Sequence, residues 1–133
     1  MGSFSDYLEN KLLDHVFKTA EYSQPTNLYI ALCKSTIDDA DTGSTLPGEV
    51  SGGSYARKKC NTWDAAAGGA VENTGAITFA QATADWGVVT DFAIVDKTTG
   101  GNVIGYGKLN TTKNIQSGDT ASFAAGALDV TLA

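Results

Sequence analysis

Short alternating segments, each closed by a glycine-bearing turn, run from residue 26 to residue 132 and leave little choice of architecture. Residues 26–33 show the pattern most clearly. Leu28, Ile30 and Leu32 fall on one face, and Tyr29, Ala31 and Cys33 on the other. Both faces are apolar, so the segment is expected in the middle of a sheet with cover on both sides. Further strands are read at 54–63, 74–80, 86–95, 103–109, 113–116, 120–124 and 127–132, the last with Leu128, Val130 and Leu132 on one side. The turns between them include Asp96–Gly101 and Ser117-Gly118-Asp119. Fifteen glycines against two prolines suit this reading, because glycine enters positive φ at no steric cost. Gly105 and Gly107 inside a strand pattern point to a bulge or a close backbone approach.

Residues 3–20 carry a different period. Phe4, Leu8, Leu12 and Val16 recur every four residues, and Leu13 and Phe17 widen the stripe. Ser3 is read as the cap, with Asp6 near the positive helix end, and Pro25 blocks continuation. A helix of this length needs a surface to lie on. The expected fold is therefore mainly β: an antiparallel β-sandwich or barrel-like domain over 26–132, with one N-terminal amphipathic α-helix, in a single domain of residues 1–133. The longest connection, 34–53, holds Asp38, Asp39, Asp41 and Glu49 and is expected to be functional or mobile.

Charge and motifs narrow the function. The net charge is −6, and the cations gather only at Arg57-Lys58-Lys59, which in an extended segment point to opposite sides and read as solvated. Nucleic acid is not an expected partner, since phosphate neutralisation needs a basic face. No apolar run approaches a membrane span, and the N-terminus lacks the pattern of a signal peptide, so neither membrane nor export is expected. His15, the lone histidine, sits within the helix and lacks the partners of a catalytic triad. The Asp38–Gly43 run fails the register of a calcium-binding loop and reads as a solvated acidic loop. Gly105-Tyr106-Gly107 lacks the third glycine and the following helix of a dinucleotide site. No catalytic set, cofactor or metal is expected. Cys33 and Cys60 are a candidate disulfide pair, which requires Cα atoms within about 7 Å; the plain alternative is two small buried apolar residues. Phe4, Leu8 and Leu12 on the helix, with Tyr55 and Trp63 near the long loop, are the candidate interface residues.

Several segments together carry a family resemblance. They are Leu12–Phe17, Pro25–Leu32, Glu49–Arg57 (Glu-Val-Ser-Gly-Gly-Ser-Tyr-Ala-Arg), Ile77–Phe79, Ala82–Gly87 (Ala-Thr-Ala-Asp-Trp-Gly), Ser117–Thr120 and Leu128–Leu132. In order and content they resemble a family of small bacteriophage virion proteins usually labelled phage tail fibre protein, from about residue 5 to residue 132. The resemblance implies a non-enzymatic structural part of the virion, such as a capsid decoration, neck or collar, or fibre-base component. It implies other phage virion proteins as partners, homo-oligomeric assembly and location in the particle. The alternative is a receptor- or carbohydrate-binding module at a fibre tip. The acidic 34–48 stretch and the two cysteines depart from the family pattern, and the cysteines would permit a bridge between subunits.

Overall fold

A computed structural model describes residues 2–131. The element order is β1 (Gly2–Phe4), α1 (Asp6–Phe17), β2 (Tyr29–Cys33), β3 (Lys58–Lys59), β4 (Ala70–Glu72), β5 (Ile77–Thr78), β6 (Gly87–Val95), β7 (Val103–Ile115), β8 (Ser122–Phe123) and β9 (Asp129–Thr131). Seven strands form one sheet in the order β3-β2-β6-β7-β1-β9-β4, and β5 pairs with β8 in a second, small sheet. All pairings are antiparallel except that of β1 with β9. The fold is mainly β, sandwich-like, with one N-terminal helix. Leu132, the expected end of the last strand, lies outside the described residues.

The strand with two apolar faces is internal, as those faces require, but it lies next to the short edge strand and not in the middle of the sheet, which β7 occupies. β2 lies between β3 and β6, and the large sheet carries a core on each side. Ile30 and Leu32 enter the larger core with Phe92, Ile94, Ile77, Phe79, Trp86 and Leu128. Ala31 and Cys33 enter the smaller one with Ile37, Ala93, Val95 and Val103. The small sheet and the chain through Trp86 cover the larger core, where Phe92, Phe123, Phe79, Trp86 and Tyr55 make successive ring contacts.

An irregularity in the β6–β7 pair shapes the outer surface. Val89 pairs with Lys113 and Asp91 with Lys108, so β6 advances two residues while β7 advances five. The surplus of β7 arches away from β6, and the bulge resets the alternation of β6. Val89 and Phe92, of opposite parity, thereby enter the same core.

The N-terminus departs from the expected helix over 3–20. Residues 2–4 form β1 against Gly107–Gly105, and the cap is Ser5, not Ser3. The reason lies in β7: a side chain at Gly105 would come within 2.9 Å of the Ser3 carbonyl oxygen, so glycine alone admits β1 at this spacing. Ser5 is fully buried; its hydroxyl donates to the Val103 carbonyl and accepts from the Leu8 N–H at 3.3 Å. At the other end, Lys18 N–H closes on the Asp14 carbonyl and Thr19 takes positive φ, which ends the helix before residue 20.

The region 54–63 is strand only at Lys58–Lys59, and 113–115 continues β7 without a break while Gln116 opens the following turn. In place of ladder bonds, buried Asn73 holds its neighbourhood: its amide nitrogen donates to the Gly75 and Ala124 carbonyls and its oxygen accepts from Leu128 N–H.

Candidate functional site

The long acidic loop is clasped, and the clasp consumes one of the candidate interface residues. Arg57 Nε and Nη2 donate to the two oxygens of Glu49 at 2.8 and 2.9 Å. Its remaining bonds go to the carbonyls of Gly43, Lys97 and Gly100. One guanidinium thus joins the 34–53 loop to the 96–101 hairpin. Its side chain is only 4% exposed, so Arg57 is internal, whereas Lys58 and Lys59 are solvated. The hydrogen bonds to Glu49 raise the Arg57 pKa further, locking it charged. Tyr55 completes the unit: its hydroxyl donates to Glu49 at 2.9 Å and accepts from Leu32 N–H at 3.0 Å. Burial pushes the Tyr55 phenol well above its ordinary range. The ring meets Trp86 edge-on at 5.4 Å.

The other sequence candidates are placed as follows. Trp63 is half-buried against the larger core, its indole N–H bound to the Cys60 carbonyl at 3.0 Å. Cys33 and Cys60 are free thiols, both buried. Cys33 ends β2 and faces the smaller core, whereas Cys60 bonds to the Leu28 carbonyl ahead of β2 and faces the larger one. About five strand residues, on the order of 16 Å, separate them, so the candidate bridge does not form within the chain. Burial also pushes the Cys33 thiol up to about 12. His15 accepts the Tyr22 N–H through Nδ1 at 3.2 Å and serves the exit of the helix. The acidic loop folds on itself, with Asp41 accepting the Asp38 N–H. Among the described residues no group of three or more His, Cys, Asp or Glu is placed to hold a metal ion. No helix there is long and apolar enough to cross a membrane.

Two surfaces remain open. The first is on α1. Its N-terminal half rests on β7 and β1, with Leu8 buried, Leu12 half-buried and Phe4, just before the helix, packed against the larger core. The chain itself covers these three candidates. What stands free is the end of that row together with the flank that widened it: Leu13, Val16 and Phe17 are 56, 60 and 80% exposed. The sequence period pointed to the helix but not to the flank, because only the seating of Ser5 and Leu8 decides which side turns outward.

The second surface is a groove of about 530 Å³ beneath the arch of β7. Leu32, Val89, Phe92 and Leu128 form its floor, and Lys108, Lys113, Asn110 and Asn114 stand at its rim. Lys108 is partly engaged, with its Nζ 3.5 Å from Asp91 and 2.9 Å from the Thr36 hydroxyl. The volume lies in the range of small-ligand and side-chain pockets. Nothing in the sequence spacing announced it, since it arises from a mismatch between two strands.

The geometry thus offers two apolar surfaces with polar borders on a β scaffold. Comparison with curated protein sequences finds no matching relative. A family model described as Podophage GP4 fiber I protein gp80 matches residues 3–131, so the chain belongs to this family of podophage fibre proteins.

Proposed function

We propose that the chain is a non-enzymatic structural component of the virion that works in symmetric copies, at the fibre or its base, and that α1 is its docking element. Membership of a phage fibre family supports the virion role. The observation that carries the docking assignment is the exposed trio Leu13, Val16 and Phe17 on a capped helix whose other side is seated on the sheet. Three large apolar side chains displayed together cost solubility unless a partner covers them. The partners are other virion proteins and further copies of the chain. Symmetric assembly multiplies such contacts, so each can be small. Neck, collar and head-decoration positions would use the same surface.

A receptor- or carbohydrate-binding role through Tyr55 and Trp63 gains no support from their placement. The Tyr55 ring and hydroxyl are engaged internally, and the Trp63 indole N–H is already bonded. The test is quantitative mass spectrometry of purified phage particles before and after a high-salt wash. The chain is expected to stay with the particles in a fixed copy ratio to the capsid protein. Its loss on washing, or its absence, would contradict the reading.

A further inference from the structure

We propose that the Leu13–Val16–Phe17 face of one copy seats in the β7 groove of a second copy, joining chains head to tail. This rests on the reading of the chain as an assembled fibre part, and it names the partner. The two surfaces cannot satisfy each other within one chain. No residue of α1 lines the groove. The helix is anchored at the start of β7, where Ser5 bonds to Val103 and Ile104, whereas the groove lies over Lys108–Ile115 at its far end.

Charge selects the occupant. At about 100° per residue, the arc of α1 running from Val16 to Asp14 holds Val16, Glu9, Leu13, Asp6, Phe17, Asn10 and Asp14. It therefore shows apolar residues flanked by three carboxylates and no cation; Lys11 and His15 fall on the opposite side. The groove presents the converse, an apolar floor with Lys108 and Lys113 at the rim. Asp119 also lines the groove and keeps its charge while accepting the Gln116 N–H at 2.9 Å. Lys108 lies 3.5 Å from Asp91, so among the described residues Lys113 is the rim cation without a carboxylate partner and the one that the helix acids would meet. An amphipathic helix laying apolar anchors into such a groove is a common recognition mode. Here knob and groove are different patches, so the contact is heterologous, and it closes into a ring or propagates along an axis.

The test uses the full chain and two variants. Phe17→Asp removes the knob and leaves the groove; Ala127→Trp, at an exposed lining position, fills the groove and leaves the knob. Sedimentation velocity is expected to show concentration-dependent association of the native chain, weakened at least about tenfold in each variant. An equimolar mixture of the two is expected to form a discrete dimer, because one intact knob then meets one intact groove. Leu13→Asp repeats the knob arm at an independent exposed site, with circular dichroism confirming the fold of every variant. Lys113→Glu is expected to weaken association, and Asp14→Lys in the same chain to restore it. A native chain that stays monomeric, association unaffected by Phe17→Asp, or a mixture that stays monomeric would overturn the proposal. So would a glycan that protects the groove from hydrogen exchange while Phe17→Asp changes nothing. A monomeric chain that is nonetheless present in particles would sink this contact alone. Absence from particles would sink the fibre reading and leave the contact standing.

Discussion

Replacing Arg57 by alanine tests the clasp, the feature on which the geometry of the acidic loop depends. The substitution removes five hydrogen bonds, two to Glu49 and one each to Gly43, Lys97 and Gly100. Breaking a buried ion pair on one side costs about 3–5 kcal/mol, mostly because the remaining charge is left uncompensated. Glu49 is 22% exposed and keeps the Tyr55 hydroxyl, so water and Tyr55 relieve part of that penalty. The expected loss is therefore about 3 kcal/mol, the low end of the range. For a chain of this size that corresponds to a Tm lower by roughly 10–15 °C. Arg57→Lys keeps the charge but not the two-pronged bond, and is expected to lose about half as much. Urea unfolding followed by the fluorescence of buried Trp86 measures both. Hydrogen exchange should rise in 41–53 and 96–102 together, because one group holds both. A loss under about 1 kcal/mol for Arg57→Ala, or faster exchange in only one of the two loops, would refute the clasp.

Three further perturbations probe other parts of the account. Gly43→Ala would drive a methyl group into the Gly100 carbonyl, and no side chain can yield there; thermal denaturation should show a loss of at least about 2 kcal/mol, with the 96–101 hairpin displaced. Ser5→Ala removes the cap and the donor to Val103, with an expected cost of about 1–2 kcal/mol and faster exchange in the first turn of α1. Stability should also fall in alkali. The folded state holds the Cys33 thiol at about 12 against an ordinary 9.0, so above pH 9 the unfolded chain releases a proton that the folded chain keeps. That contribution is intact below pH 9 and drains away towards pH 12, at up to about 1.4 kcal/mol per pH unit. Cys33→Ala should flatten the slope in equilibrium unfolding across this window.

How much could be read beforehand depended on whether a signal was local. The alternation of Leu28–Cys33 is complete within one strand, and it correctly implies cover on both sides, though the strand lies second from the sheet edge and not at its centre. The glycine-rich 96–101 turn between two strand patterns is equally local, and it is a hairpin in the structure. The helix start was misread because Phe4 extends the four-residue period. What overrides the period is Gly105, one hundred residues away in sequence, whose bare backbone draws Ser3 and Phe4 into a strand. Arg57 looked solvated beside two lysines. Its partner Glu49 and three carbonyls come from loops whose approach no pattern encodes. Asn73 and the groove share this character: one binds carbonyls on distant turns, and the other follows from the unequal pacing of β6 and β7. Helix face selection was likewise decided by tertiary seating, which covered Leu8 and exposed Phe17.

Cryo-EM density of the mature particle, solved with its symmetry, tests most directly whether this chain is a building block of the virion. The account predicts density for the seven-stranded sheet with its single helix at symmetry-related positions, the helix flank bearing Phe17 covered by protein. Particles whose density is fully explained by other chains, or copies in which that flank faces open solvent throughout, would contradict it.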